Sequence, residues 1–162
     1  MRYNTDEYYS SIAKWLHWGT ALLMLALYVS VYFRHWFTEK GTSINWVALQ
    51  LHMSLGVTLA VIVSLRLIWR FISKPPQPEP GTRCEHLMAS LGHKTLYVVM
   101  IIAVASGYMG TGSNTEFFFL FDIPKFEDTY LFSSIVAQEL GMTFDEFEAP
   151  VDFLHKKILG NG

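Results

Sequence analysis

The sequence predicts an all-α transmembrane helical bundle, with three complete spans and the start of a fourth. Of its 162 residues, 51% are hydrophobic and only 16% are charged, whereas soluble domains carry about 25% charged residues. Three stretches without formal charge cover residues 15–33, 41–65 and 95–115. A helix needs about 20 apolar residues to cross the hydrocarbon core, so each stretch can span a membrane. We assign the whole chain, 1–162, to a single domain.

The three spans are placed from their charges and their flanking sequences. The first covers about 12–33, and no Ala-x-Ala cleavage site follows it, so it is expected to be a retained helix rather than a signal peptide. The second covers about 44–72 and ends before a loop whose four prolines exclude a helix. The third covers about 92–112.

An extramembrane segment, 113–149, is predicted to follow the third span. Its aromatic run, Phe117 to Phe121, is expected to dip into the membrane interface, and Tyr130 to Phe147 is interpreted as an amphipathic helix on the membrane surface. A further helix is predicted at 150–162, because Pro150 suits a first helical position. We therefore expect the sequence to be a fragment or a shortened version of a four-helix protein.

Charge is unevenly distributed between the loops. The stretch from 66 to 94 carries five Lys and Arg against two Glu, whereas the stretch from 116 to 152 carries nine Asp and Glu against one Lys. Short basic loops stay in the cytoplasm. The N-terminus and the loop between spans two and three are therefore expected to be cytoplasmic, and the acidic segment is expected to face the periplasm or exterior.

Four of the six histidines lie at two depths of the predicted bundle. His17 and His93 lie near the cytoplasmic ends of helices one and three, and His52 and His155 near the outer ends of helices two and four. Ionisable residues within spans are costly, so they are functional candidates. Two facing histidines can hold the iron of a haem b from both sides. The two layers therefore predict an electron path across the membrane, with His17 paired to His93.

Other readings of these residues remain open. The histidines could instead hydrogen-bond the backbone or one another inside the bundle, and His35 and His86 are assigned to solvated loops. Arg66 and Arg70 share one face of helix two, where they could only fix topology, or could pair with haem propionates or a charge at a quinone site. The sequence has no Cys-x-x-Cys-His motif, so any haem is expected to be non-covalent.

Several motifs together resemble the bacterial cytochrome b561 family, the four-helix di-haem membrane cytochromes that include the superoxide oxidases. A Pro-rich loop follows helix two, as in the family. The resemblance covers almost the whole chain and is carried by the following segments: Ile12 to Trp18, His52 to Gly56, Arg66 to Arg70, Leu91 to Tyr97, and Leu154-His155.

The resemblance implies roles for the histidines. His52 and His155 would ligate an outer haem b, and His17 would ligate an inner haem b whose second ligand lies beyond Gly162. His93 would belong to a ubiquinone site on the cytoplasmic side. This differs from the pairing of His17 with His93, and we follow the resemblance. If the chain is the whole protein, the inner haem is expected to be lost, ligated by His93, or completed by another chain.

The expected function is that of a b-type cytochrome of the bacterial inner membrane, surrounded by lipid and with no nucleic-acid partner. As an oxidoreductase or respiratory electron carrier, it would move electrons between the periplasmic side and ubiquinone. The donor would be superoxide, attracted by Lys156 and Lys157. One alternative is a cytochrome b subunit that docks a periplasmic redox protein, such as a hydrogenase or dehydrogenase. The other is a haem-deficient structural remnant.

Overall fold

The computed structural model describes residues 8–74, 76–77 and 80–159. Within these residues the chain forms four α-helices: α1 Ser11–Phe37, α2 Ser43–Ile72, α3 Arg83–Met109 and α4 Phe144–Leu159. Between α3 and α4 lie the strands β1 Thr115–Phe117 and β2 Phe121–Ile123, a 3₁₀ turn Phe126–Asp128 and a wide π-type helix Phe132–Glu139. The structure is 76% helical, and the predicted all-α class, with three spans and a further helix, is confirmed.

Helices α1, α2 and α3 are each long and apolar enough to cross a membrane. Many of their large apolar side chains face outward, including Trp15, Leu22 and Phe71, which is 89% exposed. Such a continuous exposed apolar surface is suited to lipid rather than water. Inside the bundle, Leu59 and Val63 of α2 pack against Met100 of α3, with side chains of α1 around them.

Helix α3 begins nine residues before the predicted span. Thr82 and Glu85 form a capping box, in which the Glu85 carboxylate accepts a hydrogen bond from the Thr82 N–H at 2.7 Å and the Thr82 hydroxyl accepts one from the Glu85 N–H at 3.3 Å. This box provides hydrogen-bond acceptors for two backbone N–H groups that have no partner within the helix, and it therefore stabilises a helix that begins at Arg83. His86 therefore lies in the first turns of α3, and His35 lies in the last turn of α1. Their assignment to loops was wrong, although both are exposed.

Helix α4 begins at Phe144, so the prediction that it starts at Pro150 was wrong, as was the single helix from Tyr130 to Phe147. Gly141 separates the wide helix from α4 with φ +64°, a conformation that glycine adopts without steric cost. Thr143 then caps α4, because its hydroxyl accepts a hydrogen bond from the Glu146 N–H at 3.4 Å. Pro150 is accommodated inside the helix.

The segment before α4 is tied to the bundle by an aromatic cluster. Phe126, Phe132 and Val136 are buried and pack against Tyr108 of α3 and Phe147 of α4. The wide helix therefore turns its buried side chains towards the protein. This cluster fixes the start of α4 beside the end of α3.

Two strands form a hairpin that the sequence did not predict. β1 and β2 pair antiparallel, with Phe117 opposite Phe121. The hairpin lies against α2, where the Gln50 carboxamide accepts a hydrogen bond from the Glu116 N–H at 2.8 Å and the Ser54 hydroxyl accepts one from the Phe118 N–H at 2.9 Å. Gln50 and Ser54 are both 0% exposed. Two buried polar side chains of α2 therefore satisfy the hairpin's backbone groups.

Candidate functional site

The two ends of the bundle differ in the side chains they bring together. We call the end where α1 begins, α2 ends and α3 begins the basic end, and the opposite end, with the hairpin and the start of α4, the acidic end. Predicted site residues occur at both. His52 and His155 lie towards the acidic end, whereas His17, His93, Arg66 and Arg70 lie around a cavity at the basic end.

His52 of α2 and His155 of α4 face each other, and together we call them the histidine pair. Their ring centroids are 6.5 Å apart, with the ring planes at 77°. Imidazole nitrogens bind metal ions at about 2 Å, so two rings on opposite sides of one ion have centroids about 6 Å apart. The spacing therefore suits a single metal ion between the two rings. Both side chains are half-buried.

The histidine pair carries too few ligands to hold a metal ion alone. In the part of the chain that the structure describes, no group of three or more His, Cys, Asp and Glu is placed to hold a metal. Two axial imidazoles instead suit an iron whose other ligands come from a porphyrin. The donor set therefore fits haem b.

The protonation of His52 follows from its partner on α1. The hydroxyl of Ser30 donates to the Leu27 carbonyl at 2.7 Å. A serine hydroxyl has one proton, so the Ser30 oxygen accepts from His52 Nδ1, which lies 2.9 Å away. In the neutral ring the proton is therefore on Nδ1, and Nε2 presents its lone pair.

His155 has the same protonation for an even simpler reason. Its Nδ1 lies 3.0 Å from the Ala103 carbonyl, and a carbonyl can only accept a hydrogen bond. The Ser106 oxygen lies 3.2 Å from the same nitrogen, while the Ser106 hydroxyl donates to the Ala103 carbonyl at 3.2 Å. Nε2 of His155 is thus also the nitrogen with a lone pair, as a metal ligand requires.

Gly107 provides the space for His155 against α3. A Cβ atom at this position would lie 2.8 Å from His155 Cε1 and 3.3 Å from its Nδ1. The imidazole can approach the α3 backbone this closely only because residue 107 has no side chain. The sequence analysis assigned no role at this site to Gly107, Ser30 or Ser106.

A cavity of about 320 Å³ lies at the basic end, and we call it the basic pocket. Its lining includes the four remaining predicted site residues, His17, His93, Arg66 and Arg70. It also includes four aromatic side chains, of which Trp18, Trp69 and Tyr97 belong to the spans and Tyr9 precedes α1. The residues that line it are Tyr9, Ala13, Lys14, Leu16, His17, Trp18, Arg66, Trp69, Arg70, Ser73, His93 and Tyr97. No Asp or Glu occurs among these residues. The basic pocket therefore favours an anionic or hydrogen-bond-accepting ligand.

Arg66 sets the protonation of His17. Arg66 Nη2 lies 2.9 Å from His17 Nδ1, and a guanidinium only donates, so the neutral ring of His17 carries its proton on Nε2. His93 has the opposite arrangement, because its Nδ1 donates to the Ala89 carbonyl at 2.7 Å. The guanidinium of Arg66 also lies 5.1 Å from the centroid of the Tyr97 ring.

One lining atom of the basic pocket lacks a hydrogen-bond partner. Ser73 is only 6% exposed, and its hydroxyl oxygen has no partner among the residues that the structure describes. A buried unsatisfied hydroxyl is unfavourable. A polar ligand in the pocket would relieve this cost.

Two lysines near the acidic end form salt bridges. Lys156 forms a salt bridge with Asp152, and Lys125 forms one with Glu127. The hydrogen bond that Lys125 donates to Glu127 raises the pKa of Lys125 above its ordinary value. Lys157 lies 5.7 Å from the centroid of the Phe153 ring. The expectation that Lys156 is available to attract an anion is therefore wrong, because an acidic side chain one turn away binds it.

Comparisons with known proteins show the family of the chain. The sequence profile of the prokaryotic cytochrome b561 family matches residues 8–160. Cytochrome b561 homolog 2 of Escherichia coli (strain K12) is 31% identical over 127 residues, which cover 75% of this chain and 66% of that protein. The match therefore spans just under two thirds of that relative's length. No solved structure matches the chain.

The family assignment agrees with the membrane spans already described. It identifies the chain as a multi-pass membrane protein of a family of haem b cytochromes. The chain belongs to the prokaryotic cytochrome b561 family.

Proposed function

We propose that the histidine pair holds one haem b and that single electrons pass from the acidic end to ubiquinone in the basic pocket. The observation that carries this proposal is the 6.5 Å separation of two imidazoles that both present Nε2 as a lone-pair donor. When bound, haem b would supply a one-electron redox centre, held by His52 and His155.

The orientation follows from the charge distribution. The basic end carries Arg66 and Arg70 of α2, Lys74 of the loop, and Arg83 and Lys94 of α3. Basic residues in or next to a short loop keep that loop in the cytoplasm. The chain would therefore lie in the bacterial inner membrane with the basic end in the cytoplasm and the acidic end in the periplasm.

The basic pocket has groups suited to quinone reduction, which consumes two electrons and two protons. His93 keeps its Nδ1 proton on the Ala89 carbonyl, so its Nε2 can hold a proton and deliver it to a quinone oxygen. Arg66 and Arg70 stabilise negative charge on that oxygen before the proton arrives. The buried Ser73 hydroxyl can donate to the second quinone oxygen.

His17 could ligate a haem iron only if its hydrogen bond with Arg66 were broken. Coordination through Nε2 requires its proton on Nδ1, the atom to which Arg66 now donates. Arg66 would then turn to a haem propionate, because guanidinium groups bind carboxylates in a bidentate way. A second ligand to that haem would come from His93 or from another part of the protein.

Superoxide is the first candidate donor: two superoxide anions would yield two O₂ and reduce one quinone to quinol. A periplasmic redox protein is the second candidate. The second is favoured by the charge of residues 116–152, which carry nine Asp and Glu against one Lys, an excess of carboxylates suited to a basic partner. Purified protein supplied with superoxide alone separates the two, because only a superoxide oxidase would then reduce ubiquinone.

The proposed haem site is tested by the haem content of purified variants. We expect His52→Ala to lose one haem equivalent in the reduced-minus-oxidised spectrum while still inserting into the membrane. His35→Ala is the matched control, because His35 is an exposed histidine in the last turn of α1, and it should keep the full haem content. Unchanged haem in His52→Ala would refute the site, and wild-type protein without a b-type α band would favour the haem-deficient alternative.

A further inference from the structure

The same arrangement of a serine and a backbone carbonyl occurs at both members of the histidine pair. On α1 the Ser30 hydroxyl donates to the carbonyl three residues earlier, at Leu27, and on α3 the Ser106 hydroxyl does so to Ala103. Each serine oxygen in turn lies within hydrogen-bonding distance of a histidine Nδ1 on the following helix. Two helix pairs, α1 with α2 and α3 with α4, thus present their histidines in the same way.

The direction of these hydrogen bonds has a chemical consequence. Each hydroxyl proton is committed to a carbonyl, so each serine oxygen can only accept from Nδ1–H. A group that accepts from the distant ring nitrogen fixes the orientation of a metal-bound histidine and makes its other nitrogen a stronger donor. Stronger donation favours the ferric over the ferrous iron.

We infer that Ser30 and Ser106 are positioning residues that lower the reduction potential of the haem held by the histidine pair. They do so by keeping both imidazoles in the Nδ1–H form and raising the donor strength of Nε2. The inference rests on the proposed haem site, but it concerns two residues of α1 and α3 that would not touch the iron.

The two serines should not contribute equally. For His52, the Ser30 oxygen lies 2.9 Å from Nδ1. For His155, the Ala103 carbonyl at 3.0 Å is closer to Nδ1 than the Ser106 oxygen at 3.2 Å. A backbone carbonyl survives any side-chain substitution. Loss of the Ser30 hydroxyl is therefore expected to have the larger effect.

The test is the midpoint potential of this haem in serine variants, measured by redox titration of purified protein. Hydrogen-bond partners of metal-bound histidines change metal affinity by about 10- to 100-fold, and the loss of one neutral acceptor places Ser30→Ala at the lower end of this range. We expect its redox equilibrium to shift towards the ferrous form by up to about tenfold, which is about 59 mV for a one-electron couple. Ser106→Ala should shift the same way by less.

Two further variants separate this role from a general effect on the helices. Ser30→Thr keeps a hydroxyl and should restore the wild-type potential. Ser64→Ala is the matched control, because the Ser64 hydroxyl donates only to a carbonyl of its own helix, that of Ala60, at 2.8 Å. Its potential should be unchanged.

The outcomes distinguish this inference from the proposed function. If wild-type haem depends on His52 but Ser30→Ala and Ser106→Ala keep the wild-type potential and ferric spectrum, the inference is wrong and the haem site stands. If His52→Ala keeps all of its haem, the proposed function itself fails. If Ser30→Ala does not insert into the membrane, Ser106→Ala alone decides the inference by the same criterion.

Discussion

Gly107 offers the sharpest structural prediction, because a single methyl group there meets His155. In Gly107→Ala the new Cβ would lie 2.8 Å from His155 Cε1, and the ring must retreat by about 0.6 Å to reach an ordinary contact of 3.4 Å. A retreat directly away from α3 lengthens the 3.0 Å hydrogen bond from Nδ1 to the Ala103 carbonyl to about 3.6 Å, which is no longer a hydrogen bond. We therefore expect loss of the haem held by the histidine pair, or a weakened low-spin signal from it.

The assay combines haem content with thermal unfolding in detergent. Overpacking of this kind costs about 1–3 kcal/mol. Gly92→Ala is the matched control on the same helix, because a Cβ there would meet nothing within 4 Å, and glycine to alanine in a helix is neutral or stabilising by up to about 1 kcal/mol. Wild-type haem content and stability in Gly107→Ala would show that His155 does not pack against α3 as described.

Three further predictions concern the acidic end. Thr143→Ala should loosen the start of α4 by about 1 kcal/mol, the usual cost of a lost cap, as measured by hydrogen exchange of the α4 amides. Hydrogen bonds from the Thr143 backbone and hydroxyl lower the pKa of Glu146. The stabilisation of α4 by ionised Glu146 is therefore complete above the ordinary glutamate pKa and is lost as the pH falls through the lowered value. Protection of the α4 amides that does not change with acid would contradict this. Asp152→Asn frees Lys156 and should speed reduction by superoxide, with a rate that falls with salt, whereas Asp145→Asn, which changes the net charge equally, should not.

The sequence alone predicted the three spans and the end of the bundle at which each of the four candidate histidines lies. Uncharged stretches located the spans, because crossing a bilayer requires continuous apolar length. Histidine depth along those spans then predicted that His52 faces His155. It also placed His17 and His93 at the same end, where the structure places both around one cavity. Hydropathy and position were sufficient for these conclusions.

Helix ends and the extramembrane segment could not be predicted in the same way. The end of an uncharged stretch does not mark the end of a helix, and α3 starts earlier because Thr82 and Glu85 cap it. The hairpin depends on Gln50 and Ser54, more than sixty residues away in sequence. The pairing of Lys156 with the residue four positions earlier was predictable, since such i, i+4 pairs meet on a helix.

The partners of the histidines were hidden for a further reason. Ser30, Ser106 and Gly107 are small residues of apolar helices, where such residues commonly serve close packing. Their roles appear only when α1 is set beside α2 and α3 beside α4, because each contact joins different helices. Donor and acceptor roles then follow from the carbonyls that occupy the serine protons.

The central claim, that one haem iron is held by both His52 and His155, is tested most directly by chemical rescue. The measurement is the ferric low-spin signal of His155→Gly, recorded by electron paramagnetic resonance with and without added imidazole. The account predicts that this variant loses the signal of one bis-histidine haem and that imidazole, entering the space left by the side chain, restores it. A full wild-type signal in His155→Gly without imidazole would contradict the claim.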